Sequence, residues 1–461
     1  LITPSAASKS HKPDLLNDPV GTTLYRTAVP TTIGAIAVIM YYLAGTYFVS
    51  LLGTNELAAL GFTFPATILI TYFGVGLGIG TSALVGKAIG SKNPLQVQEM
   101  TFASMSMGLL LGVLLIIPAI ASIDLIFPLM GAGPEHMPLI RSYMIIWFIG
   151  MPLQLMQFAG TAVIRASGNA KLHGKLMAAS AVVNALLDPL FIFGLGPIPG
   201  MGIAGAALAT VITFALTIVV ICYFLCSREK LLSLVLPQWD HLMTSWKKLL
   251  QITGPAALAN MITPLATAVL TATLATYGTY AVAAFSVVSR VEAFIMIVVL
   301  GMSMSVPPFI SQNFGAHRYE RVQQGLRMSL NFVLVLQFGL YVLVAIAAPW
   351  IALIFTQDPE VQAVITLVLR ILPASYAFQG MVVLSASSFN ALHAPRNALI
   401  TSLLRFFVFY VPLALIGNML GGITGLFLGA ALGNVLAGIV IRRWIFIYTS
   451  NLLQTPAAVA A

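Results

Sequence analysis

Charge is what this chain has least of: Lys, Arg, Asp and Glu make up 8% of 461 residues, against 59% hydrophobic residues. So few charges cannot cover the surface of a water-soluble protein of this size, which excludes a soluble enzyme or nucleic-acid-binding domain despite the net charge of +9. Cysteine is almost missing too. Cys222 and Cys226 share a helix face without a metal set around them, and are expected to be two buried thiols. Strand-type alternation is absent, which argues against a β-barrel. The glycine-rich "GVGLGIGTSALVGKAIG", residues 74–90, lacks the G-x-x-x-x-G-K-[ST] order and lies inside an apolar run. It therefore reads as small residues for close helix packing, and ATP-driven pumping is set aside. The first twenty-odd residues have no apolar core followed by a cleavage site, so they are expected to be a cytosolic tail and not a signal peptide.

What fills the chain is a series of apolar runs near 25–51, 57–89, 101–122, 136–162, 175–195, 202–226, 248–275, 280–312, 327–355, 361–388, 397–417 and 422–447, with mean hydropathy +0.97 overall. The expected fold is an all-α integral membrane protein of twelve transmembrane helices. Alternate connections separate by charge. Lys87, Lys92, Arg165, Lys171, Lys175, Arg228, Lys230, Lys247, Lys248, Arg318, Arg321 and Arg396 fall in one set, joined by Arg442 and Arg443. Glu56, Asp124, Glu135, Arg141, Asp358 and Glu360 fall in the other. The positive-inside rule then puts both termini in the cytoplasm.

Sliding the chain by 225 positions, the distance from Gly53 to Gly278, also pairs Pro30 with Pro255, Gly76 with Gly301, Gly90 with Gly315, Gln154 with Gln379 and Lys171 with Arg396. An internal repeat of six spans has the same topology in both copies, which predicts two six-helix lobes with a substrate site between or within them. The expected division is a tail at 1–24, an N-lobe at 25–226, a cytoplasmic linker at 227–247, a C-lobe at 248–447 and a C-terminal tail at 448–461.

An ionisable residue inside a span is costly and is a functional candidate by default. In "VVNALLDPLFIF", residues 182–193, Asp188 is buried in an apolar run, with Asn184 one turn earlier on the same face and Pro189 removing a backbone donor next to it. Such a carboxylate can bind and release a proton as its surroundings open and close; a structural polar pair is the alternative. Glu292, Arg290 and Arg370 are the other ionisable residues noted in spans, and packing is as good a reading for them as coupling. The aromatic Tyr41, Tyr42, Phe64 and Phe158, the flexible Met151 and the repeat-paired Gln154 are candidates for lining a substrate cavity.

Twelve spans in two halves, with "LGTNELAALG" after span one, "IRASGNAKLHGK" after span four, "NALLDPLFIFGLG" in span five, "GIAGAALAT" opening span six and "SQNFGAHRYERV" after span eight, resemble the multidrug and toxin extrusion (MATE) family. The DinF-like prokaryotic branch is the most similar. The resemblance implies a monomeric secondary transporter of the plasma (inner) membrane, with small organic molecules and the bilayer as partners and no nucleic acid, metal or cofactor. It would export cationic and aromatic drugs by alternating access in exchange for protons or, alternatively, sodium ions. It further implies that Asn184, Asp188 and Thr210 form a cation-coupling site, and that protonation lets span one bend at Pro30. One departure stands out. The family pattern "VDTxFVG" in span one carries an aspartate, whereas "LAGTYFVS" here has Gly45 at that position. A lipid-linked precursor flippase of similar architecture is the rival from another class; it would need several basic residues in its cavity to hold a diphosphate, and Arg290 and Arg370 are the candidates the spans supply.

Overall fold

The computed structural model describes residues 13–233 and 237–454. Lys9 and Lys12 of the expected tail, linker residues 234–236 and C-terminal residues 455–461 lie outside the described residues. The first lobe contains α1 (Val20–Ser50), α2 (Thr54–Gly90), α3 (Pro94–Ala121), the short α4 (Ile123–Leu129), α5 (Met137–Ala166), α6 (Ala170–Phe193) and α7 (Ile203–Tyr223). A π-helical turn, Phe224–Arg228, extends α7, and an antiparallel pair of two-residue strands, β1 (Gly194–Leu195) and β2 (Ile198–Pro199), joins it to α6. The second lobe contains α8 (Trp239–Ala275), α9 (Thr279–Ile295), α10 (Ile297–Gly315), α11 (Tyr319–Phe355), α12 (Pro359–Ile371), α13 (Tyr376–Ala391), α14 (Pro395–Leu403) and α15 (Val411–Gln454).

Among the described residues, eleven helical segments are long and apolar enough to cross a membrane. The last of them, Pro395–Gln454, is broken at Gly421 and Gly422, the latter at φ 57°. It therefore makes two crossings, 395–420 and 423–454, which brings the number to the expected twelve. The helices overrun the apolar runs at several ends. α8 begins at Trp239, so residues 239–247 of the expected linker are helical, and α15 runs on to Gln454, seven residues past the expected C-lobe boundary. Hydropathy measures the thickness of hydrocarbon, while hydrogen bonding decides where a helix stops; polar terminal turns satisfy the second and not the first. Nor are residues 13–19 a free tail. Leu15 is buried in the C-lobe core, its carbonyl accepts from Asn313 Nδ2 at 3.0 Å, and Arg321 Nη2 donates to the Asp18 carbonyl at 2.8 Å. Cys222 and Cys226 are free and half-buried rather than fully buried.

The sequence repeat becomes contact geometry. Gly53 and Gly278, one repeat apart, both precede a helix at positive φ, 147° and 117°, which a side chain would oppose. Where the lobes meet, a Cβ on Gly90 would strike the Gln312 carbonyl and one on Gly315 the Lys87 carbonyl, and 87 and 312 are themselves repeat partners. Gly76 packs against Ala257 and Gly301 against Thr32, again partners at the 225-residue offset. Leu24 of α1 packs into a C-lobe core and Leu249 of α8 into an N-lobe core, so the lobes exchange equivalent ends. Small residues permit this close approach, which in lipid replaces the hydrophobic drive.

These contacts all lie toward the end of the bundle that carries Val20 and Trp239, the starts of the two lobes. Gln312 Nε2 closes the same end by donating to the Ala166 carbonyl at 2.6 Å across the lobes. Toward the opposite end, Phe64 of α2 and Leu265 of α8 are 61% and 58% exposed. The lobes are thus joined on the terminal side and diverge away from it.

Candidate coupling site and substrate cavity

Asn169 caps α6 by accepting from the Leu172 N–H at 3.1 Å, and from there Ser180, Asn184 and Asp188 recur every fourth residue on one face. That face meets Thr210, Thr213 and Thr217 on α7. Each threonine hydroxyl donates to the carbonyl four residues back, at 3.0, 2.8 and 2.7 Å, which leaves its lone pairs as acceptors. Ser180 and Thr217 share a hydrogen bond of 2.8 Å, and Tyr41 Oη reaches Thr210 Oγ1 at 3.4 Å. With its nitrogen toward Asp188, the Asn184 amide donates to Asp188 Oδ2 at 3.0 Å and accepts from the Thr210 N–H at 3.3 Å. Turned the other way it reaches Thr210 and Thr213 only at 3.4 Å each and sets its oxygen against the carboxylate. The first orientation satisfies both ends of the amide.

Asp188 is 2% exposed, and among the described residues no Lys, Arg or His forms an ion pair with it. Position 45 faces it directly: a Cβ on Gly45 would stand 3.3 Å from Asp188 Oδ2, with nothing else within 4 Å. Pro30 lies inside the continuous α1, and α6 approaches so closely there that a Cβ on Gly174 would strike the Pro30 carbonyl. Pro189 is likewise inside a continuous helix, α6. Residues Ser180, Thr213 and Thr217 escaped the sequence reading, although a spacing of four from Asn184 and of three and seven from Thr210 was a signal for them.

Beside this site a cavity of about 420 Å³ opens between the lobes. Tyr41, Tyr42, Gln154, Phe158, Asn184 and Thr210 line it, so six of the sequence candidates are brought together. Two candidates do not belong to its wall. Met151 is packed in the N-lobe core. Phe64 stands three turns toward the open end from the lining residue Val75, on the same face of α2, beyond the cavity.

The wall also contains residues the sequence reading missed or misassigned. Arg165, counted with the loops, belongs to the last turn of α5 and lines the cavity together with His173. Arg405, unnoticed in the apolar "LLRFFVFY", is 6% exposed and lines it from the C-lobe. Arg290 and Arg370, the basic candidates named from the spans, are instead exposed on the surface and absent from the wall. No aspartate or glutamate is among the lining residues.

A second polar set, partly buried, lies in the C-lobe. Gln379 Nε2 donates to Glu292 Oε1 at 2.8 Å, Asn434 Nδ2 reaches Gln379 Oε1 at 3.4 Å and Ser375 Oγ at 3.1 Å, and Arg405 Nε donates to Asn434 Oδ1 at 3.1 Å. The Arg405 guanidinium also lies 4.5 Å from the Phe406 ring centroid.

The MatE family model matches residues 30–190 and 255–416, two segments whose starts are separated by the 225 residues of the internal repeat. The chain is 37% identical, over 92% of its length and 94% of the other's, to a protein of Shewanella oneidensis named FAD transporter. The Vibrio cholerae MATE transporter VcmN in its bent form superposes with a TM-score of 0.88 at 32% identity, covering 93% of this chain and 98% of that one. A multidrug resistance MATE family transporter in its outward-facing conformation gives a TM-score of 0.89 at 25% identity, covering 97% and 100%. By its paired lobes, its repeat and these likenesses, the chain belongs to the MATE family: it is a multi-pass membrane transporter and not an enzyme.

Proposed function

We propose that the protein is a monomeric secondary active exporter of small organic molecules in the bacterial plasma membrane, with cytoplasmic termini, driven by protons that enter at Asp188. The observation that carries this reading is the sharing of residues between the two sites: Tyr41, Asn184 and Thr210 line the cavity and also belong to the hydrogen-bonded set around Asp188. Loading the carboxylate therefore cannot leave the cavity wall unchanged. A protonated Asp188 gains a donor, which the Asn184 amide meets by turning its oxygen toward it and giving up the Thr210 N–H. α1, which carries Tyr41, Tyr42 and Gly45, then moves against α6, and the missing backbone bond at Pro30 is the point at which it yields. Closure of the N-lobe side expels the substrate toward the open end of the bundle.

The same geometry favours a proton over sodium. A sodium site needs several oxygens aimed at one point. Here the Asn184 nitrogen faces the carboxylate, its oxygen is engaged by Thr210, and Gly45 contributes no second anionic ligand. Aromatic substrates suit the rings of Tyr42, Phe158, Phe214 and Phe406 in the wall, whereas the expected preference for cations has no carboxylate there to support it. In proteoliposomes, a pH gradient alone is expected to drive export and a sodium gradient at constant pH is not. Export under the sodium gradient alone would overturn the proton reading in favour of sodium.

A further inference from the structure

We infer that the cavity floor is a binding site for the phosphate groups of an organic diphosphate, held by Arg165 and His173 of one lobe, with Arg405 of the other lobe adding positive charge to the same wall. The inference rests on the transport reading of this cavity and names the substrate class it takes. The wall holds two arginines from different lobes and no carboxylate. The Arg165 side chain has no acidic partner and no hydrogen bond among the described residues, which leaves its fork of N–H donors for a ligand. His173 is 1% exposed, and both its ring nitrogens lack a partner although it lines the cavity. Arg405 spends only its Nε on Asn434. The Arg165 guanidinium, without a counter-charge, is costly in this wall unless something neutralises it, and a phosphate accepts two parallel N–H bonds from such a fork. Arg405, already linked to Glu292 through Asn434 and Gln379, keeps its terminal nitrogens for the ligand. An organic cation would meet the opposite field.

The basic residues sit on both lobes, so an anion in the cavity is attracted to each of them. Above the floor, Phe158 and Phe214 offer faces on which a flat ring can stack. The shared chemistry is a diphosphate, which either a dinucleotide or a lipid-linked precursor could supply. A ring-bearing dinucleotide uses the phenylalanines as well.

The test is equilibrium binding to the purified, full-length protein without any gradient, so that a failure of coupling cannot be mistaken for a failure of recognition. Probes are FAD, riboflavin (the same ring without the diphosphate), farnesyl diphosphate and ethidium. FAD is expected to bind roughly tenfold or more tightly than riboflavin. R165Q and R405Q should each weaken FAD by about tenfold or more. R165K should restore part of that affinity, and ethidium binding should be equal or tighter in R165Q, which shows that the variant is folded. Competition by FAD assigns a nucleotide source; competition by farnesyl diphosphate alone assigns a lipid source and removes the stacking role of Phe158 and Phe214. Equal affinities for FAD and riboflavin, or unchanged FAD binding in both R165Q and R405Q, would overturn the inference.

Discussion

The two lobes answer the problem of a buried charge in different ways. In the N-lobe, Asp188 is surrounded by an amide and hydroxyls, all neutral, and its partner position 45 holds no side chain. In the C-lobe, Glu292 and Arg405 are linked through Gln379 and Asn434, so a negative and a positive group belong to one chain of hydrogen bonds. Gln379 is the repeat partner of Gln154, whose own side chain only reaches Thr71 Oγ1 at 3.3 Å, and Arg405 falls one repeat after Ser180. The duplicated scaffold was kept and the chemistry divided. A charge surrounded by neutral partners can come and go; a charge tied to an opposite one holds its lobe together.

That division can be probed at five places, in falling order of effect. Asp188→Asn should lower pH-driven export by about 100-fold or more while leaving substrate exchange down its own gradient intact, since only the driving group is lost. Glu292→Gln should instead keep pH-driven export and lower the thermal midpoint, with a cost of about 2–4 kcal/mol from the stranded Arg405. Pro30→Ala restores the backbone bond whose absence lets α1 yield, and should slow transport roughly tenfold with substrate affinity unchanged. Unchanged turnover in this variant would remove the bend from the mechanism.

Gly45→Asp sets a second carboxylate against Asp188, where two like charges share a proton. Export under a fixed pH gradient should rise several-fold; no gain would mean that position 45 has lost its part in coupling altogether. The smallest effect belongs to the closed end. His393, in the turn between α13 and α14, stacks on Phe314, and burial, then the nearby Lys87, hold its pKa down to about 4. The unfolded chain takes up that proton below about 6.5, so stability from this group is present above pH 6.5 and is lost as pH falls toward 4. The thermal midpoint should fall a few degrees across that window, and less so in His393→Gln.

The crossings and the two-lobe repeat were legible in the sequence because both are statements about runs and registers. Gly53 with Gly278 and Gly90 with Gly315 were paired by number before any contact was known, and each pair has one structural task. Asp188 was legible because a carboxylate has no cheap place in lipid. What a run does not reveal is which way a residue faces. Arg405 sits in an apolar segment, as Arg290 and Arg370 do, but only Arg405 points into the molecule. Phe64 and Phe158 have the same chemistry, but only Phe158 belongs to the cavity wall. Arg165 was assigned to a loop because hydropathy stops before its helix does. The same ambiguity hid the basic cavity floor, and with it the sign of charge that the wall favours.

The central claim is that one carboxylate exchanges a proton with the cavity. Its most direct measurement is proton release on substrate addition to the purified protein in weakly buffered solution, read with a pH indicator. The wild type should release about one proton per substrate bound at saturation, and Asp188→Asn none at all with substrate still bound. Equal release by the two proteins would contradict the account and move the coupling proton away from Asp188.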